Sequence, residues 1–138
     1  MTGSDFVVLL LRIGATLTGA AFFAVLLPVD WMASTHAWLG LGVFPRTAIV
    51  DYLARSVAAF YGFHGVMLYL ISTDVVRYRP LVWFAAAMSV AFGVMLIGIG
   101  LHAGLPAYWV AAEGPSVIVI GCVLAWANAR AIDMEKSS

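Results

Sequence analysis

From Phe6 to Leu27 the chain carries a single charged residue, Arg12, in an otherwise apolar run that is closed by Pro28. An α-helix needs roughly 20 predominantly apolar residues, at about 1.5 Å each, to cross the hydrocarbon core of a bilayer. Four stretches meet that requirement: about 6–27, 47–72, 81–101 and 115–132. None alternates polar with apolar residues, and all are far longer than a barrel strand, so a β reading is excluded. The pattern predicts an all-α polytopic membrane protein, an up-and-down bundle of four transmembrane helices forming one domain over residues 1–138.

Composition agrees with that solvent. Hydrophobic residues make up 64% of the chain and charged residues 10%, against roughly 45–50% and about 25% in soluble domains. Seven basic and seven acidic residues cancel, leaving no excess charge to recruit nucleic acid. The single cysteine, Cys122, excludes an internal disulfide and any CxxC redox or zinc motif. Its setting in VIVIGCVLAW suits a small packing residue.

Basic residues orient the spans. Arg12, Arg77, Arg79, Arg130 and Lys136 fall on one side, Arg46 and Arg55 on the other. Both termini and the STDVVRYRP turn are therefore expected in the cytoplasm. The first run lacks the basic start and small-residue cleavage site of a signal peptide, so it is read as a retained helix. Arg12 lies early in that helix, where its long side chain can snorkel to the headgroups or, alternatively, face the bundle interior.

The outer connections have structure of their own. In PVDWMASTHAWLGLG, Asp30 is placed to cap a short helix and Gly40 to end it, while Trp31, Thr35 and Trp38 share a face. The paired tryptophans predict a short interfacial helix on the outer surface. HAGLPAYWVAAEGP reads as a smaller version, with Tyr108 and Trp109 at headgroup level and Pro115 in the first turn of the last span.

Association in lipid depends on close packing through small residues. Each span carries such a row: Gly14 and Thr18; Ala54, Ala58 and Gly62; Ala85, Ser89 and Gly93; Gly121, Ala125 and Ala129. These rows can serve the bundle itself, a second copy, or another membrane protein as partner. The short turn between the second and third spans makes those helices antiparallel neighbours.

The polar residues inside or beside the spans are the candidate site. Asp51 and Arg55, spaced i and i+4, are placed to pair; the alternative puts Arg55 in an outward pocket as an anion or headgroup contact. His64 falls near mid-membrane, where a neutral imidazole has one donor and one acceptor to satisfy. A tie to Ser89, Thr16 or Thr18 would satisfy it; a ligand or proton-relay role is the alternative. A haem held between two histidines is disfavoured, because His36 and His102 lie at other depths than His64, although a lone axial ligand remains allowed. On the outer face His36, His102 and Glu113 can approach Asp30 and Asp51 as a first-row metal site, without any ligand-spaced motif. There is no GxSxG elbow, no phosphate-cradling loop, and no acid in the interior of any of the four runs.

The combination of HAWLGLG, DYLARSVAAFYGFHG and STDVVRYRPLVW resembles an uncharacterised family of small bacterial four-helix inner-membrane proteins. The similarity extends from the first outer connection to the third helix, and it implies that fold and a bacterial setting. The family has no known activity, so no site residue is carried over. The expectation is a small non-catalytic membrane protein, acting as an accessory subunit or binding a lipid-like molecule, with membrane lipids as its surroundings. The alternative is a haem- or metal-bearing redox or proton-coupled transport protein built on His64.

Overall fold

The computed structural model describes residues 3–137; Lys136, counted above for orientation, lies outside the residues whose side chains it describes. Every regular element among the described residues is a helix: α1 (Gly3–Gly19), α2 (Ala21–Val25), α3 (Val29–Trp38), α4 (Ala48–Ser72), α5 (Arg79–His102) and α6 (Ala107–Ser137). Three segments are long and apolar enough to cross a membrane: Gly3–Val25, which joins α1 and α2, Arg79–His102, and Ala107–Met134. With 25 residues α4 matches them in length but not in hydropathy. Asp51, Arg55, His64 and the tyrosines at 52, 61 and 69 interrupt it.

The first apolar run is a broken helix. Thr16 and Thr18 return their hydroxyl protons to the carbonyls of Arg12 and Gly14, at 2.9 and 2.8 Å, a back-bond that competes with the helical ladder and bends helices. At Ala20 the ladder tightens, and Phe23 N–H donates to the Ala20 carbonyl at 3.1 Å.

Asp30 does not cap α3. Pro28 holds the cap position, and its carbonyl accepts the N–H groups of Trp31 and Met32 at 3.0 and 3.2 Å. The helix therefore begins before the carboxylate is placed to cap it, and Asp30 meets Arg46 at 2.7 Å instead. Gly40 ends the helix as expected, in the left-handed region at φ 69°.

The last helix starts earlier than the proline rule suggests. Gly104, at φ 70°, turns the chain, and the Pro106 carbonyl accepts Trp109 N–H at 2.9 Å. From there α6 runs unbroken through Pro115, which lies inside it. The connection after His102 is thus a tight turn, and the span expected at about 115–132 is extended to Ala107–Met134. Proline removes one ladder donor without stopping the helix, because packing on α5 holds both sides of it in place.

The chain divides into two compact units, Arg12–Tyr69, and the chain up to Leu11 together with everything from Leu70 onward. Within Arg12–Tyr69, α1 and α2 pack antiparallel on α4: Gly14 faces Leu68, Gly65 faces Ala15 and Gly19, and Gly62 faces Phe22. Phe22 and Phe63 meet edge to face at 5.2 Å. A Cβ on Gly65 would sit 2.5 Å from the Gly19 nitrogen, so the two backbones touch there. Gly14 and Gly62 come from the small-residue rows; Gly65 does not.

In the other unit α5 and α6 are antiparallel, with Ala86 beside Gly121, Gly93 against Gly114 and Ile118, and Gly100 against Val110. Gly3 of α1 abuts Ala131, and Phe6 meets Trp126 edge to face at 6.4 Å. The largest fully buried side chains among the described residues, Val7, Leu11, Val82 and Asn128, belong to this unit. Around both units large apolar side chains stay open, among them Phe23 at 76%, Leu26 at 82% and Phe60 at 74% exposure. Water does not tolerate apolar surface on that scale; acyl chains do. Together with the three helices long and apolar enough to cross a bilayer, this surface points to a helical membrane protein.

Candidate functional site

Arg55 is the most connected polar residue of Arg12–Tyr69. Its Nε donates to Asp51 Oδ1 at 2.9 Å, one turn earlier on α4. Its Nη1 donates to the Val25 carbonyl, and its Nη2 to the Leu27 carbonyl at 3.1 Å. The reason lies in the end of α2. The last carbonyls of a helix have no helical donor, and Pro28, which follows, has no N–H to offer. Arg55 therefore caps α2 from across the helix pair, with Asp51 holding the guanidinium in place. The Asp51–Arg55 pair forms as its spacing predicts, and the two carbonyls commit the remaining edge of the guanidinium inward.

His64 lies half-buried on α4, one residue before the Gly65 contact. The hydroxyls expected to tie it are engaged within their own helices: Thr16 and Thr18 as described, and Ser89 with the Ala85 carbonyl at 2.9 Å. Short hydroxyl side chains in a helix reach the carbonyl one turn back more readily than a neighbouring helix. No hydrogen bond to the His64 ring forms among the described residues. Arg12 is exposed on α1, and its carbonyl, rather than its guanidinium, is what Thr16 contacts.

His36 is an element of loop structure. Its Nδ1 donates to the Gly42 carbonyl at 3.1 Å, and its ring lies 5.5 Å from that of Phe44. Since a carbonyl only accepts, the proton is on Nδ1. In the other unit His102 ends α5, exposed, and Glu113 sits half-buried on α6 with Oε2 accepting Trp109 Nε1–H at 2.8 Å. Among the described residues no three His, Cys, Asp or Glu side chains gather as a metal-binding group.

Two features escape the sequence reading. The Trp109–Glu113 bond is one, although i,i+4 spacing is its signature; it is hidden by reading this segment as a short interfacial piece that ends before a span starting at Pro115. Asn128 is the other. It is 1% exposed, and its Nδ2 has no hydrogen-bond partner among the described residues. Its signal is periodicity, since it shares a face with Leu124 and Ala131, both buried. A buried donor left unpaired costs about 1–3 kcal/mol, so Asn128→Leu is expected to stabilise the protein by about 1 kcal/mol in thermal unfolding in detergent. A lower unfolding temperature for that variant would reveal an acceptor serving the amide.

Comparison with known protein families, with characterised proteins and with solved structures finds no match.

Proposed function

We propose that the chain is a small non-catalytic protein of the bacterial inner membrane, with four crossings and both termini in the cytoplasm, that acts as an accessory subunit or binds a lipid-like molecule against its helices. α4 is the fourth crossing: it packs antiparallel on α1 and α2, and its exposed face is aromatic and aliphatic, including Phe60, Phe63 and Val57. α3 lies at the outer interface, where Trp31 and Trp38, both exposed, sit at headgroup depth.

One observation carries the functional reading. The charged groups between Leu27 and Ser56 are spent on structure, Asp30 with Arg46 and Asp51 with Arg55 and the end of α2. Most of what the helices present to a ligand or partner is apolar surface, which suits acyl chains and other membrane helices. A second reading, a haem- or metal-bearing redox or proton-coupled transport protein, is favoured by His64, whose ring nitrogens are free of hydrogen bonds among the described residues.

Absorption spectroscopy and native mass spectrometry of gently extracted protein separate the two. The first reading expects a colourless protein that retains phospholipid-sized adducts, with His64→Gln folding and assembling as the parent does. A visible band or bound metal that disappears in His64→Gln would establish the second.

A further inference from the structure

Glu113 changes meaning once α6 begins at Ala107. It stands in the second turn of a helix long and apolar enough to cross the membrane, with an uncharged donor, the Trp109 indole, as its hydrogen-bond partner. Asp30 and Asp51 each hold an arginine, and Asp74 accepts the Arg77 N–H at 3.0 Å. Glu113 makes no ion pair among the described residues. The arginines of its own unit, Arg77, Arg79 and Arg130, belong to the opposite end of the α5–α6 pair, since the antiparallel register sets Gly93 against Gly114. His102 closes α5 at the same end of the pair as Trp109, since Gly100 faces Val110, and it makes no ion pair with Glu113 among the described residues.

The depth of the carboxylate follows from two tryptophans. Trp109 and Trp126 are separated along α6 by about 26 Å at about 1.5 Å per residue, close to the hydrocarbon thickness of about 30 Å. Tryptophans favour the membrane interfaces, and this spacing fits the pair to the two boundaries of the bilayer. Glu113 lies one turn inside the first of them, and helical side chains lean toward the N-terminus, as its bond to Trp109 requires. Its carboxylate therefore stands just beneath headgroup level, beside an indole. A carboxylate withdrawn from water needs a counter-charge, and an indole face attracts cations.

We propose that Glu113 and Trp109 bind the ammonium group of an amphiphile at this boundary. The inference rests on reading the protein as a membrane-spanning binder of lipid-like molecules, and it names the ligand chemistry. Two sources carry that chemistry: the amine of phosphatidylethanolamine, and a free lipophilic quaternary ammonium. The anionic headgroup of phosphatidylglycerol does not.

The test compares wild-type protein with Glu113→Gln, which keeps an acceptor for the indole, and with Trp109→Phe, which keeps an aromatic ring. Native mass spectrometry from mixed phosphatidylethanolamine and phosphatidylglycerol measures lipid retention, and calorimetric titration with dodecyltrimethylammonium in phosphatidylglycerol nanodiscs measures the free cation. Selective phosphatidylethanolamine retention that falls about tenfold in Glu113→Gln, a loss of about 1.4 kcal/mol, with unchanged helicity and unfolding temperature, assigns the site to the lipid headgroup. The same loss confined to dodecyltrimethylammonium assigns it to a free cation. Equal binding of both probes by wild type and Glu113→Gln overturns the site while leaving the lipid-binding reading intact. Failure of the wild type to retain any lipid or cation overturns both.

Discussion

Gly65→Val, at a buried position, is expected to be the most damaging of the substitutions considered for Arg12–Tyr69. The added side chain would begin 2.5 Å from the Gly19 nitrogen and 2.7 Å from the Ala15 carbonyl, and both are backbone atoms that no rotamer change can move. Overpacking of this kind costs about 1–3 kcal/mol when side chains can yield, so about 3 kcal/mol is the expected loss where they cannot. α1 would be pushed off α4, and with it the end of α2 that Arg55 caps. Gly98→Val supplies the control: a Cβ there meets nothing within 4 Å, and the unfolding temperature should barely change. Equal losses for the two variants would mean that the glycines act through helix propensity, and that the α1–α4 contact is unimportant.

Arg55→Met is expected to be the second largest, at about 1.5–3 kcal/mol, the range for losing hydrogen bonds made by a charged group. Methionine keeps the length of the side chain but leaves Asp51 without its cation and the Val25 and Leu27 carbonyls without a donor. Both members of the ion pair are partly solvated, with 29% and 37% side-chain exposure, which holds the effect below that of a fully enclosed pair. Arg55→Lys should recover only part of it, since an ammonium cannot span Asp51 and two carbonyls in one plane. Asp51→Asn should cost less than Arg55→Met, because the carbonyl contacts survive. If Arg55→Met unfolds like the parent, the guanidinium contributes nothing to the end of α2, and an outward role for it regains force.

The parts of the fold that could be read in advance are those set by local chemistry. Long apolar runs locate the α1–α2 segment, α4 and α5 within a few residues, though not the break between α1 and α2, and Asp51 with Arg55 pairs because their spacing alone brings them together. What fails is what depends on distant partners or on competition. Arg55 reaches carbonyls 28 and 30 residues away, and no local pattern marks Val25 or Leu27 as acceptors. Asp30 has the residue type of a cap but loses the position to Pro28, whose ring already holds the helical entry. Pro115 looks like a start signal and is instead carried through a longer helix, so Glu113 passes from the outer connection to a place inside a span. A tie from His64 to a neighbouring hydroxyl, one of the two roles its position allows, does not form, because Thr16, Thr18 and Ser89 each turn back to a carbonyl of their own helix.

Everything functional proposed for this chain depends on α4 crossing the bilayer, since the crossing decides which side receives each loop and at what depth His64 lies. Labelling with a membrane-impermeant thiol reagent tests it directly, in sealed inverted and right-side-out vesicles. The single-cysteine variants Val43→Cys, Val76→Cys and Leu105→Cys, all at exposed positions, are made on a Cys122→Ser background. Four crossings require Val43→Cys and Leu105→Cys to react from the periplasmic face and Val76→Cys from the cytoplasmic face. Reaction of Val43→Cys and Val76→Cys from the same face would place both ends of α4 on one side of the membrane and contradict the account.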